Sequence, residues 1–399
     1  MLSPGSTHAD VVVVGAGVIG AACAEALSGR GLRVTVVDRG APASGTTACG
    51  EGNVLVSDKA VGPELTLAQA SRRLWPELLD RLREEAGPSL ADAEWDEKGG
   101  LVVATSGAAA RALTGFAAGQ RAAGIDAREL PEGGAAELEP LLTPKVTAAV
   151  HYPEDAQLQP VLATAALLAA VTRRGGCVVS GTPALGVESG RGGRVTAVTT
   201  RDGALPCGAV VNACGPWAGH FAAAAGAPLT VLPRRGMVLV TGPLPEATVR
   251  HKVYDADYVG AVAGDDADLM TSTVVESTRS GTVLIGSSRQ RIGFEDSLQV
   301  HVLRTLAAKA VALFPALGRV PVMRAYGGFR PYTPDHLPVI GEDPRCPGLW
   351  HATGHEGAGI GLAPATGRLL AELMVGLPPH VDPWSFRADR PALTKGQAQ

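Results

Sequence analysis

A run of four valines followed by three spaced glycines constrains the fold of this chain more than any other feature. Val11–Val14 is a continuous apolar run of strand length, and a run without alternation predicts a strand covered on both faces, as in a parallel sheet. Gly15-x-Gly17-x-x-Gly20 follows directly, and a helical stretch then leads to a second strand over residues 32–37. A strand, a helix and a strand within about 30 residues predict a β-α-β unit.

The glycines and the acid after the second strand predict a dinucleotide site. The tight turn needs Gly15, the backbone at Gly17 can approach a pyrophosphate, and Gly20 lets the helix pack on the strand. The helix N-terminus adds unpaired N–H groups and a partial positive charge. Asp38 ends the second strand, where a carboxylate can accept hydrogen bonds from ribose hydroxyls, which argues against NADP. The alternative is a glycine-rich turn that binds nothing.

Composition excludes several classes of protein. The 399 residues, 46% of them hydrophobic, can form two or three domains with a large core, which excludes a disordered chain. The 35 basic and 39 acidic residues form no basic stripe, so no nucleic-acid partner is expected. Six cysteines without a C-x-x-C pair predict no metal site and favour the cytoplasm. No apolar run reaches the roughly 20 residues of a membrane span, although peripheral membrane contact stays open.

The order of elements predicts a discontinuous nucleotide-binding domain. A long helix is expected from Pro63 to Glu85, and a helix from Ala365 to Val375 closes the chain's last β-α pair. Residues between these ends are rich in β-formers. We therefore predict an α/β fold in which a Rossmann-like FAD-binding domain carries an inserted α+β substrate domain on a mostly antiparallel sheet. The first comprises residues 1–90, 147–222 and 323–399, and the second comprises residues 91–146 and 223–322.

A second glycine-rich loop favours FAD over NAD. Residues 352–364 read Ala-Thr-Gly-His-Glu-Gly-Ala-Gly-Ile-Gly-Leu-Ala-Pro and lead into the last helix. A helix N-terminus placed at the pyrimidine ring of a flavin would stabilise the negative charge that develops at N1–C2=O on reduction. A nicotinamide has no such need, because it loses positive charge on reduction. The alternative is a loop that only joins the last strand and helix.

Motifs along nearly the whole chain resemble the D-amino-acid oxidase/glycine oxidase superfamily of FAD-dependent amine oxidoreductases. Within it, the chain is most similar to glycine oxidase and to the flavoprotein β-subunits of D-hydroxyproline, proline and opine dehydrogenases. The residues that carry the resemblance are 13–20, Val36-Val-Asp38, Gly45-Thr-Thr47, Val210-Val-Asn-Ala-Cys-Gly-Pro-Trp217, Gly327-Gly-Phe-Arg-Pro331, Pro338-Val-Ile-Gly341 and Ala352-Thr-Gly-His355 with residues 359–367.

The resemblance implies a non-covalently bound FAD and a role for each part of the site. The glycines of the first motif and residues 18, 19, 38 and 39 would hold the ADP half, and Ala184 would contact adenine through its backbone. Residues 46 and 47 would touch the diphosphate, and residues 52, 53 and 355–361 would surround the flavin ring. The expected cofactor-binding residues are Gly15, Gly17, Val18, Ile19, Gly20, Asp38, Arg39, Thr46, Thr47, Gly52, Asn53, Ala184, Gly215, His355, Glu356, Gly357, Ala358, Gly359, Ile360 and Gly361.

This chain departs from the family at two positions. The family usually has Glu where this chain has Asp38, which gives a shorter reach to the ribose. Glycine oxidase has an Arg in the last loop near the position of Gly357, so a second basic contact to the substrate is in doubt.

Arg330, in the sequence Gly-Phe-Arg-Pro, is the main candidate for binding the substrate. A planar guanidinium can hold a carboxylate through two parallel hydrogen bonds, and the resemblance implies this role for Arg330; a structural ion pair is the alternative. Tyr254 and Tyr258 are spaced like two tyrosines that line the glycine oxidase pocket, and their alternative is ordinary packing in a strand. Cys49 and Glu51 belong to the loop on the flavin side. Cys49 is expected to pack rather than to attach the flavin.

The expected activity is FAD-dependent oxidation of an amino acid, with hydride transfer from Cα–H to flavin N5 giving an imine. Glycine, sarcosine, a D-amino acid, D-hydroxyproline or an opine would each fit. The electron acceptor is oxygen, a quinone or a partner subunit, in a homo- or hetero-oligomer. Two alternatives remain: a flavoprotein subunit with little activity alone, and an NAD-dependent dehydrogenase. Glu356 is not favoured as a contact to the substrate amine.

Overall fold

Two large β-sheets, one mainly parallel and one mainly antiparallel, organise residues 8–87, 92–256 and 268–394, which are the residues that the computed structural model describes. The helices are α1 Val18–Ser28, α2 Pro63–Ala86, α3 Gly107–Ala122, α4 Gly134–Leu138, α5 Pro160–Arg173, α6 Ala218–Ala224, α7 Val300–Leu313, α8 Gly359–Met374 and α9 Pro391–Thr394. The strands are β1 Ala9–Val14, β2 Val34–Val37, β3 Asn53–Val54, β4 Gly100–Ala104, β5 Arg128–Glu129, β6 Ala148–Tyr152, β7 Ala156–Gln157, β8 Cys177–Val179, β9 Ala184–Ser189, β10 Val195–Thr200, β11 Gly203–Asn212, β12 Leu232–Thr241, β13 Lys252–Asp255, β14 Met270–Ser277, β15 Val283–Arg289, β16 Val322–Tyr332, β17 Val339–Glu342 and β18 Leu349–Thr353.

The first sheet is a Rossmann-like sheet built around β1. Its strands run in the order β17-β18-β11-β1-β2-β8, and β18, β11, β1, β2 and β8 are parallel to one another. Val11 and Val13 pack with the helix layer of α1, α5 and α8, whereas Val12 and Val14 pack with β10 and α6 on the opposite face. Both faces of β1 are therefore buried, which is why its sequence shows no alternation.

The second sheet has the order β16-β12-β15-β14-β13-β4-β6-β5, and every pairing except β13 with β4 is antiparallel. Helix α7 buries Val302, Leu306 and Leu313 against one face of this sheet. The other face of β12 and β16 looks towards the first sheet, and this face forms one wall of the cavity described below. The predicted fold class, a Rossmann-like domain with a second domain on a mostly antiparallel sheet, is confirmed.

Two strands from segments predicted to belong to the nucleotide-binding domain lie in the second sheet instead. Residues 147–222 and 323–399 were assigned to the nucleotide-binding domain, but β6 and β16 within them are strands of the second sheet. β6 pairs with β4, and β16 pairs with β12 from Leu232 opposite Tyr332 to Thr241 opposite Val322. These long-range pairings cannot be read from a local pattern, because a strand's sequence does not specify its neighbour.

The last long helix begins earlier than predicted, at Gly359 rather than at Ala365. Pro364 lies inside α8, where a proline cannot donate the usual hydrogen bond to the carbonyl four residues before it. That carbonyl, on Ile360, instead accepts a hydrogen bond of 3.2 Å from the indole Nε1 of the fully buried Trp75 in α2. The helix therefore tolerates the proline, and the glycine-rich loop is shorter than expected. Within the described ranges, no helix combines the length and the apolar character needed to cross a bilayer.

Candidate active site

A cavity of about 620 Å³ lies where the carboxyl ends of β1, β2 and β11 face the second sheet. In open parallel sheets, ligands bind at this end of the strands. The cavity is lined by residues of α6, by the loop around Ala184 and by Arg330. Its lining includes the residues around both Ile19 and Ile360, so the two glycine-rich segments from distant parts of the chain meet at one cavity.

The first glycine motif forms the turn at the start of α1. Gly15 has φ +112°, and a Cβ there would collide with the carbonyl oxygen of Ala213, so no other residue fits. Asp38 supports the turn, because its Oδ2 accepts from the N–H of Ala16 at 2.7 Å and its Oδ1 from that of Gly40 at 2.8 Å. Gly15, Gly17, Val18, Ile19, Asp38 and Arg39 line the cavity, whereas Gly20 packs against the Gly15 carbonyl outside the lining.

The loop after β2 is held in place by its two threonines. The Thr47 Oγ1 accepts from the Val18 N–H at 3.0 Å, and the Thr46 hydroxyl donates to the carbonyl of Phe329 at 2.7 Å. The loop is thus bonded to α1 on one side and to β16 on the other. Thr46, Thr47 and Asn53 line the cavity. Gly52 does not, and its φ of +95° serves a turn packed on the Leu158 carbonyl.

Part of the cavity is lined by aromatic side chains that the sequence analysis did not predict as site residues. The Arg39 guanidinium lies 3.8 Å from the centre of the Trp217 ring, and Phe294 stacks on the same ring at 5.1 Å. Ala184 and Gly215 line the cavity here, as do His220 and Phe221 of α6. Trp217 follows the glycine turn of a motif that the sequence does reveal, but its contact with Phe294 joins residues far apart in sequence.

The last glycine-rich loop borders the cavity with His355, Glu356, Gly357, Gly359 and Ile360. Ala358 and Gly361 do not line it; a Cβ on Gly361 would lie 3.2 Å from the Asn53 carbonyl oxygen, so this glycine allows close packing. Burial lowers the pKa of His355 to about 3, so its ring is neutral near pH 7. Its Nε2 pairs with the Thr366 hydroxyl at 3.0 Å, while its buried Nδ1 has no hydrogen-bond partner among the described residues.

Arg330 lines the cavity from β16. Its Nη1 donates to the Ser288 carbonyl at 2.9 Å, and its guanidinium lies flat over Gly236 of β12, where a Cβ would collide with it. Next to it, the Glu356 carboxylate faces the fully buried Arg234 at 3.4 Å and His336 at 3.3 Å. Glu356 thus has cationic or ionisable partners of its own.

Of the two tyrosines predicted to line the substrate pocket, only Tyr254 lies among the described residues. Tyr254 is fully buried, its hydroxyl contacts the Ser57 hydroxyl, and it does not line the cavity. Burial and the nearby Asp155 raise the pKa of Tyr254 well above its usual value. Tyr258 lies outside the described residues.

Cys49 lines the cavity and packs on Gly328, and burial raises the pKa of its thiol.

These features fit a dinucleotide that carries a flat ring at one end. α1 and α8 both begin at the cavity, and neither Gly17 nor Ala358 caps its helix with a side chain. The Val18 N–H already bonds Thr47, so it is the partial positive charge of the two helix N-termini that can stabilise negative groups here. The buried Nδ1 of His355 beside α8, which has no partner in the part of the chain that the structure describes, is a further sign that a ligand completes the site.

Comparisons with known proteins agree with this geometry. The model of the family described as FAD dependent oxidoreductase matches residues 10–373. Glycine oxidase of Geobacillus kaustophilus is 31% identical over 369 residues, 92% of this chain and 92% of that protein. Its crystal structure superposes with a TM-score of 0.86 at 29% identity, covering 96% of this chain and 99% of that one. The hydrogen cyanide synthase subunit HcnC of Pseudomonas aeruginosa is 28% identical over 404 residues, 92% of each chain.

Proposed function

Because the chain belongs to the family of FAD-dependent oxidoreductases, we propose that it oxidises an amino acid to an imine. It uses FAD as its cofactor and acts on amine or amino-acid donors. When bound, FAD supplies the two-electron acceptor, taking a hydride from the substrate Cα–H at N5. The residues of this chain would orient the substrate for that step and hold the cofactor.

The observation that carries the proposal is the position of Arg330. Arg330 lines the same cavity as the N-termini of α1 and α8. A guanidinium there can hold an α-carboxylate through two hydrogen bonds and so fix Cα in one orientation. The buried Arg234 cannot compete for this role in the same way, because its Nη1 faces Glu356.

The remaining lining residues are proposed to hold the cofactor. Residues 15, 17–19, 38, 39, 184 and 215 would contact the ADP half, and residues 46 and 47 the diphosphate. Residues 53, 355–357, 359 and 360 would surround the flavin ring, with the N-terminus of α8 opposite the ring's developing negative charge.

A flavoprotein subunit that needs a partner chain for full activity is the second candidate. One similar protein is named as a subunit of hydrogen cyanide synthase, whereas the glycine oxidase name implies no partner. β16 is the edge strand of the second sheet, and its first residues Val322 and Met323 are 49% and 58% exposed. Apolar side chains on an unpaired edge favour contact with another chain. Activity measured with and without co-expressed partners tests this candidate.

Anaerobic mixing of the purified flavoprotein with a panel of amino acids tests the main proposal. We expect one amino acid to bleach the flavin absorbance and its mirror image, where one exists, to fail. Arg330→Ala should keep its FAD and raise KM by about 100-fold, because a charged, bidentate contact is lost. Arg324→Ala, on an exposed residue of the same strand, is the control and should change KM little. An unchanged KM in Arg330→Ala would remove Arg330 from the substrate site.

A further inference from the structure

Three glycines on adjacent strands of the second sheet form a nearly bare wall beside the cavity, and two of them, Gly236 and Gly328, line the cavity itself. Gly328 of β16 faces Gly236 of β12 in the register, and Gly286 belongs to β15, the next strand. A Cβ on each would collide with one side chain: Cys49 at Gly328, the Arg330 guanidinium at Gly236 and the Glu51 carboxylate at Gly286. A cation and an anion therefore lie directly on the sheet, over neighbouring strands that are about 5 Å apart.

Glu51 is held at this wall with one of its oxygens unused. Its backbone carbonyl accepts from the Gln157 side chain at 3.1 Å, and its Oε2 accepts from the Asn53 Nδ2 at 3.2 Å. Its Oε1, against Gly286, is buried and has no hydrogen-bond partner among the described residues. A buried carboxylate oxygen without a partner is costly, so its presence in a residue that lines the cavity points to a ligand donor.

A buried lysine fixes the orientation of this carboxylate. Lys252 of β13, 2% exposed, donates to the Oδ1 of Asn53 and lies 3.1 Å from Glu276. Since a lysine ammonium can only donate, the Asn53 oxygen must face it, and the Asn53 NH₂ must face Glu51. The chain from Lys252 through Asn53 thus holds Oε2 and leaves Oε1 as the oxygen without a donor among the described residues.

We propose that Glu51 binds the protonated amino group of the substrate and accepts its proton, while Arg330 holds the carboxylate; this inference rests on the function proposed above. An α-amino acid carries its two charged groups on adjacent carbons, so one small ligand can reach both side chains. One N–H bond of the ammonium breaks, the proton forms an O–H bond with Glu51, and the electron pair stays on nitrogen. The nitrogen lone pair is what allows Cα–H to leave as hydride, and the proton transfer needs no further reactant.

Other ionisable groups surround Glu51 and shape its electrostatic environment. Burial raises the pKa of Glu276 to about 7, with Glu51 adding to the rise and Lys252 opposing it. Burial and the two carboxylates also raise the pKa of Tyr326, so its hydroxyl is neutral. The ammonium of Lys252 is shared with Glu276, and Asn53, the described donor to Glu51, is neutral. Glu276 of β14 and Tyr326 of β16 lie close enough to Glu51 for its charge to raise their pKa values, Lys252 of β13 contacts the neighbouring Asn53 and Glu276, and Cys49 and Arg330 line the same cavity as Glu51.

The test is the pH dependence of anaerobic flavin reduction in Glu51→Gln, which keeps the size of the side chain. Below the pKa of the substrate amine, we expect the second-order rate of reduction to fall about 100-fold, the usual contribution of a positioned base. The rate of the variant should then rise about tenfold per pH unit and approach the wild-type rate once the amine is neutral in solution. The Kd of a ligand with a carboxylate but no amine, such as benzoate, should stay within about twofold, since it does not use Glu51.

Controls separate a chemical role from a structural one. Glu188→Gln changes an exposed glutamate on β9 and should leave both measurements unchanged. If Glu51→Gln keeps the wild-type pH profile, or if benzoate binding weakens by the same factor as the rate, the inference is overturned. If no amino acid bleaches the wild-type flavin, the proposed function fails and takes this inference with it. Bleaching in the wild type with an unchanged variant overturns the inference alone.

Discussion

At the scale of single residues, glycines of the second sheet, which have no side chain, decide where the charged groups of the site lie. Arg330 and Glu51 both have long, flexible side chains, and each lies where a Cβ on a glycine of the second sheet, Gly236 or Gly286, would collide with it. The glycine motif that contains Gly328 is visible in the sequence, and Arg330 within it could be predicted. The role of Gly236 and Gly286 could not, because their importance comes from strand pairing between segments about 90 and 40 residues away from Arg330.

Adding a methyl group at Gly236 should move Arg330 without unfolding the sheet. The Cβ of Gly236→Ala would meet only the far end of a flexible side chain, so the guanidinium gives way. A displacement of about 1 Å at a positioning group can cost up to 100-fold in rate, and we expect kcat/KM to fall by at least about tenfold with normal FAD content. Gly115→Ala, where a Cβ meets nothing, is the control. Unchanged kcat/KM in Gly236→Ala would mean that Arg330 has no fixed position.

At the scale of elements, the start of α8 shows how tertiary contact overrides a local signal. Pro364 indicates a helix that begins nearby, since proline is favoured in the first turn and disfavoured further inside. The sequence analysis predicts the helix from Ala365, the residue after this proline, whereas Trp75 of α2 supplies the missing donor and lets the helix begin at Gly359. By contrast, α2 itself was predicted to within one residue, because Leu67, Leu78 and Leu82 repeat on one buried face.

This arrangement predicts that Trp75 and Pro364 are energetically coupled. Trp75→Phe should lower the free energy of unfolding by about 2–4 kcal/mol, because a buried carbonyl loses its partner and the smaller ring leaves a gap. It should also weaken FAD binding, since the first turn of α8 borders the cavity. Pro364→Ala restores an N–H that can reach the Ile360 carbonyl, so the double variant should recover part of the loss. Additive effects in urea unfolding would contradict the coupling.

At the scale of the whole molecule, the site exists only where the two sheets meet. The first β-α-β unit and the last glycine-rich loop could be assigned to one domain from sequence, because each has a local signature. The positions of β6 and β16 could not, and β16 carries Arg330, so the substrate end of the cavity belongs to the second sheet. Asp155 helps to join the parts: its carboxylate accepts from the N–H groups of Val56 and Ser57, and the Ser57 hydroxyl contacts Tyr254 of the second sheet.

This junction should make the stability of the protein depend on pH through Asp155. Burial raises the pKa of Asp155 to about 7, against about 3.9 for an unfolded aspartate. The folded state therefore holds the proton more tightly, and stability falls as the pH rises from about 4 towards 7. Relative to Asp155→Asn, which stays neutral, the wild type should lose about 2 kcal/mol of unfolding free energy between pH 5 and pH 8. Urea unfolding of the holoprotein at both pH values measures this difference, with the exposed Asp202→Asn as control. A wild type that gains stability relative to Asp155→Asn over this range would show that the carboxylate is ionised in the folded state.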